Sequence, residues 1–330
     1  MKRPARGVGF TFWNGRNLRT ALTPEMRSLI DETQPDILDV HAGPDRLAGA
    51  TAYLVGELRK IAPKARFHIG LGWDYWLGAY IAGRVSASTC EKHLVDTADL
   101  AVAVGAEAIV HDAEAACKAD SHKTSLIGQA VITQIRDEHP GLIQGHTAYD
   151  HPTLHSDDAD GVYDDRKVID EYAWRVFCAL LGVDWEVPQN YVAPDGGLSF
   201  ASPGALRRRC ESSKRSFDRA KQLGWVRLDI PIDTYMQGHH VPYSQTATMG
   251  CEYDVVKIWC GPKIADGGRL DESGAWALRM LCAMERAGIR RPGGILAQMQ
   301  ARGLKIDRPY PIAGREVGKS VGVIVPAGVR

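Results

Sequence analysis

The chain has 330 residues, 45% hydrophobic and 24% charged, with 40 basic and 40 acidic side chains. That length accommodates one decorated barrel or two average domains, and the composition excludes an extensively disordered chain. Zero formal net charge removes the general attraction on which nucleic-acid and anionic-membrane binders depend, and no apolar run of about 18 residues exists to span a bilayer.

The basic start Met1-Lys2-Arg3 is followed by Arg6, Asn14, Arg16 and Asn17 rather than by the apolar stretch of a signal peptide. Synthesis in a cytoplasm is therefore expected, with release to a cell wall by lysis or a dedicated export system. The cysteines (Cys90, Cys117, Cys178, Cys210, Cys251, Cys260, Cys282) are scattered without a CxxC pair, so they read as buried or idle thiols. No cofactor or bound metal is expected.

Short β-rich runs recur, and nearly every one precedes a stretch with helical spacing, the pattern of parallel strands with crossover helices. The first strand is Val8 to Trp13, followed by a helix that Thr23-Pro24-Glu25 starts well, with Thr as cap and Pro in the first helical position. The second strand is Asp36 to His41, then a helix from Arg46 to Ile61. The third is Arg66 to Leu71, then the amphipathic Ser88 to Val104, and the fourth is Ala106 to His111. After the helix Leu126 to Glu138 comes strand five, Leu142 to Thr147, then a long polar loop, His151 to Asp165, and a helix from Lys167 to Leu181. Strand six is Val183 to Tyr191, strand seven Trp225 to Ile230 and strand eight Asp254 to Trp259, with helices at Pro203 to Leu223 and Glu272 to Ala287. Eight strands with alternating helices predict a single (β/α)8 TIM barrel over 1–289; an open doubly wound sheet would use fewer strands and a GxGxxG after the first. The segment 290–330 forms a basic C-terminal extension, with Arg290, Arg291, Arg302, Lys305 and Arg308 among its cations. It reads either as a solvated tail or closing element on the barrel, or as an attachment to an anionic polymer.

Barrel chemistry gathers where the strands end, because eight loops converge there on a rigid core. Those ends carry Trp13 and Asn14, His41, Trp73 and Asp74, Asp112 and Glu114, His146 and Tyr149, Gln189 and Tyr191, Asp229 and Asp233, and Trp259. Aromatic faces pack against the C–H faces of sugars while carboxylates and amides bond the hydroxyls, so the mixture suits a polysaccharide cleft. In Ala106 to Glu114 an apolar strand runs into two carboxylates two residues apart, which alternation sends to the same, inner side. Like charges that close resist joint ionisation and hold one carboxyl protonated. Glu114 then serves as general acid on a leaving glycosidic oxygen, and Asp112 tunes it or orients a substrate amide.

The strand ending in Asp112-Ala-Glu114 resembles the D-x-E strand of family 25 glycoside hydrolases, the lysozyme-type muramidases, and the end of the longer motif in family 18 chitinases. Trp185 to Tyr191 resembles their sixth strand and Ile258-Trp259 their eighth-strand tryptophan, whereas Phe12-Trp13-Asn14 and Val110 depart from the acidic residues those families carry there. The resemblance implies a divergent lysozyme-like glycoside hydrolase of β-linked, N-acetylated polysaccharide, with peptidoglycan leading. It implies Glu114 as proton donor, Asp112 as its partner, Tyr191 as stabiliser of an N-acetyl group and Trp259 as sugar platform. Asp229 or Asp233 would supply a second catalytic group. Two other classes stand beside this one. A metal-dependent barrel hydrolase or isomerase would draw ligands from His41, His68, Asp112, Glu114, His146 and Asp229. A non-catalytic glycan-binding barrel would use the aromatics and not Glu114.

Overall fold

The computed structural model describes residues 4–13, 22–42, 48–113, 121–148, 183–188, 234–237, 254–259, 272–288, 305–306 and 324–325. Its strands are β1 (Gly7–Trp13), β2 (Ile37–Ala42), β3 (Arg66–Gly72), β4 (Ala108–Asp112), β5 (Ile143–Ala148), β6 (Trp185–Pro188), β7 (Thr234–Gln237) and β8 (Val255–Trp259). They form one sheet in the order β6-β5-β4-β3-β2-β1-β8-β7, with every neighbouring pair parallel. The ends of that row, β6 and β7, approach within 8 Å, Cα to Cα, although no ladder joins them among the described residues. The sheet is therefore strongly curved. Two short strands, β9 (Lys305–Ile306) and β10 (Ile324–Val325), pair antiparallel on their own.

Helices α1 (Pro24–Thr33), α2 (Ala48–Ile61), α3 (Asp74–Ile81), α4 (Ala87–Ala103), α5 (Ser121–Glu138) and α6 (Glu272–Arg286) accompany the strands. The Thr23 hydroxyl accepts the Met26 N–H at 3.2 Å and Pro24 opens the first turn of α1, as the sequence predicts. That helix ends on Gln34, whose φ of 41° lets its N–H close back on the Ile30 carbonyl. Ser86 caps α4 in the same way by accepting the Thr89 N–H. Among the described residues no helix is long and apolar enough to cross a membrane.

One face of the sheet, carrying Val8, Phe10, Phe12, Leu38, Val40, Ile69, Leu71, Ile109, Val256 and Ile258, packs into a common apolar core with Met26, Leu29, Leu54, Leu58, Leu94, Val131 and Leu278 from the helices. Each fully buried chain of this size contributes about 1.5–3 kcal/mol of transfer free energy. Among the described residues, Cys90 and Cys282 are buried and joined in no disulfide.

Among the differences from the sequence expectation, three concern the strand ends. Strand four starts two residues later and ends one later, so Asp112 ends the strand instead of following it. A short helix, α3, begins directly after β3 at Asp74. The seventh strand of the sheet is Thr234–Gln237, while Trp225 to Ile230, expected in that role, lies outside the described residues. The expected 151–165 loop, the helices at 167–181 and 203–223, and most of 290–330 also lie outside them.

Candidate functional site

Side-by-side partners in a parallel ladder project to the same face, so the register sorts the strands' side chains. Opposite the helix-facing core, the inner face carries Thr11, Asp39, His41, His68, Gly70, Val110, Asp112, Gly145, Thr147, Trp185 and Lys257. Barrel interiors are usually filled by branched apolar residues. The inner face of this sheet is instead polar along much of its length.

Near the strands' C-terminal ends, His41 and Asp112 meet with Nε2 and Oδ2 at 3.2 Å. They are 7% and 6% exposed. Between them runs β3, where the imidazole of His41 lies over Gly70; a Cβ there would overlap the ring, so only glycine permits the approach. The backbone N–H of Trp73 donates to the Asp112 carbonyl at 2.8 Å, carrying the ladder one step past β3 and fixing where Asp112 sits. The other Asp112 oxygen, Oδ1, is buried without a hydrogen-bond partner among the described residues. A buried carboxylate oxygen in that state carries a desolvation cost that a donor would relieve.

Deeper on the same face, Lys257 Nζ bonds Asp39 Oδ2 at 2.5 Å and donates to His68 Nδ1 at 3.3 Å, with Lys257, Asp39 and His68 all fully buried. His68 is held below the usual histidine range by burial and by the Lys257 ammonium, against the pull of Glu107 and Asp39. The ring is thus neutral with its proton on Nε2, which donates to Glu107 Oε2 at 3.2 Å. For Glu107 burial pushes upward, but His68, the Ala5 N–H at 3.1 Å and Arg66 outweigh it and hold the carboxyl low.

A second polar chain lies on the helix-facing side. Trp73 Nε1–H donates to His111 Nδ1 at 3.2 Å, His111 Nε2 donates to Gln144 Oε1 at 3.0 Å, and Gln144 Nε2 donates to the Ile132 carbonyl of α5 at 3.1 Å. Burial, and to a lesser degree His146, push His111 down to about 4 against the Gln144 bond, so it is neutral and bridges as donor and acceptor at once.

Of the sequence candidates, the structure brings His41 and Asp112 together. Trp73 is moved off the cleft: it is buried in the apolar core, because Gly72 before it faces inward and alternation sends the indole outward. His146 is likewise turned away, in register with His111 and Glu186, while Gly145 and Thr147 face inward. Asp74 is half-buried in the first turn of α3. Trp13 and Trp259 lie on the register positions of the inner face. Glu114, Asn14, Tyr149, Gln189, Tyr191, Asp229 and Asp233 lie outside the described residues. The metal-ligand set weighed from the sequence is not assembled among the described residues: His68 serves Lys257 and Glu107, and His146 faces the helices. Sequence reasoning missed Asp39 and Lys257; a charged residue inside an otherwise apolar strand, as in Val255–Trp259, was the available signal.

No protein-family model matches the chain, and no curated protein matches it in sequence. Among solved structures, the catalytic domain of a hyperthermophilic chitinase from Pyrococcus furiosus is similar with a TM-score of 0.55 and 13% identity, over 86% of this chain and 96% of that one. A GH18 chitinase from Pseudoalteromonas aurantia reaches a TM-score of 0.47 at 12% identity, over 79% and 96% of the two chains. D-Psicose 3-epimerase from Clostridium cellulolyticum H10, solved with D-tagatose, reaches 0.46 at 10% identity, over 85% and 98%. At such identities the likeness is one of fold, and the Pyrococcus domain carries it: this chain is an α/β protein of parallel strands whose neighbours are TIM barrels.

Proposed function

We propose that the curved sheet closes as a (β/α)8 barrel and that the chain is a glycoside hydrolase of β-linked, N-acetylated polysaccharide, with bacterial peptidoglycan as its leading substrate. The observation that carries this reading is Asp112: it ends strand β4 on the inner face, is almost wholly buried, and keeps one oxygen without a partner among the described residues. Two residues further on in the sequence, Glu114 would serve as the general acid, with Asp112 as the neighbouring charge that keeps it protonated. The chitinase name of the neighbour from Pyrococcus furiosus agrees with a substrate built of N-acetylated sugars.

Purified protein incubated with peptidoglycan, chitin oligomers and other glycans is expected to release reducing ends, and Glu114→Gln to abolish release while glycan binding persists. Release by neither protein, with binding intact in both, would instead identify a glycan-binding barrel. Loss of activity with a chelator and its return with a divalent metal would favour metal-dependent chemistry.

A further inference from the structure

We propose that His41 is a positioning residue that holds the Asp112 carboxylate in one orientation, taking Oδ2 and leaving Oδ1 aimed at a donor of the bound substrate; this rests on the glycosidase reading above. The contact is built into the fold. His41 ends the inner row of β2, Asp112 ends that of β4, and the strand between them presents Gly70 and Gly72, so the imidazole crosses β3 unobstructed and its Cε1 stands 3.4 Å from where a Cβ on Gly72 would be.

An aspartate in an open cleft samples several rotamers, and each missed orientation is paid for in the reaction step. Here one oxygen stands 3.2 Å from a ring that is itself confined by β3, and it is this close approach, not an aligned hydrogen bond, that limits how the carboxylate turns. The titratable groups facing this pair from below are Asp39 on β2, the neutral His68 on β3 and Lys257 on β8, with Lys257 bonding the other two. A sugar amide N–H or hydroxyl reaching Oδ1 would meet an acceptor already desolvated, which strengthens the bond it makes.

The test compares two amides at position 41. Gln places its side-chain N–H at nearly the reach of imidazole Nε2, while Asn falls short of Asp112. On the glycan that wild type cleaves, H41Q is expected to keep most of kcat and H41N to lose about 10- to 100-fold, with little change in KM for either. A crystal structure of H41N is expected to show the Asp112 carboxylate rotated. Equal kcat values for the two variants, or an unrotated Asp112 in H41N, would overturn the proposal. If wild type cleaves no glycan the glycosidase reading fails by itself, and the Asp112 orientation in H41N still decides whether His41 holds it.

Discussion

His41 on β2 and Asp112 on β4 stand 3.2 Å apart, across a strand that contributes no side chain at Gly70. Gly70→Ala therefore acts on the pair without touching either member. The added methyl overlaps the imidazole, and the expected outcome is a loss of about 10- to 100-fold in kcat. The melting temperature should fall far less than for a core truncation. Steady-state kinetics beside a thermal melt separate the two effects.

Trp73 supplies a donor to His111, and its indole is buried in the apolar core. Trp73→Phe keeps most of the volume but leaves His111 Nδ1 without its donor, at an expected cost of about 1–3 kcal/mol in denaturant unfolding. Glycan affinity is expected to be unchanged. Weaker binding with unaltered stability would return Trp73 to the cleft.

The His111 ring titrates near 4 when folded, against an ordinary 6.5. Between those values the unfolded chain holds a proton that the native chain does not, so stability falls as pH drops through that window and levels off below it. The loss from this ring alone is on the order of 3 kcal/mol, and the lowered His68 acts in the same direction. Urea midpoints from pH 7 to pH 4 should show the decline, with a shallower slope in His111→Gln.

The Lys257 to Asp39 pair is fully buried. Removing one member leaves the other charge uncompensated, so Asp39→Leu or Lys257→Met alone is expected to cost about 3–5 kcal/mol. The double variant should cost much less than their sum. Additive losses in the four-protein cycle would show that the charges do not depend on one another.

The element order was legible because Val8 to Trp13, Asp36 to His41, Arg66 to Leu71 and Asp254 to Trp259 are short, β-rich and separated by capped helical stretches. Asp112 was placed on the inner face correctly, since two carboxylates at the end of an apolar run leave little choice. His146 and Trp73 were not. A parallel strand buried on both faces lacks the polar and apolar alternation that would say which parity points inward, and in Ile143–Ala148 both His146 and Thr147 are polar and buried. Thr234 to Gln237 was passed over as a strand because it is short and carries little β-rich signal, yet it pairs with β8; Trp225 to Ile230 lies outside the described residues. Asp39 and Lys257 were passed over because a sequence does not say that two charges 218 residues apart will meet.

The two inner bridges share a geometry. Lys257 and Asp39 join β8 to β2 over β1, and His41 and Asp112 join β2 to β4 over β3. Strands two places apart lie roughly 9–10 Å from each other in a flat sheet, so each bridge uses most of the length of its two side chains to cross the strand between. Lifting β1 or β3 out of place requires breaking a ladder on either side and the bridge above. Their amide protons should be among the slowest in the molecule to exchange with solvent, which makes the least mobile strands the ones that the two bridges cross.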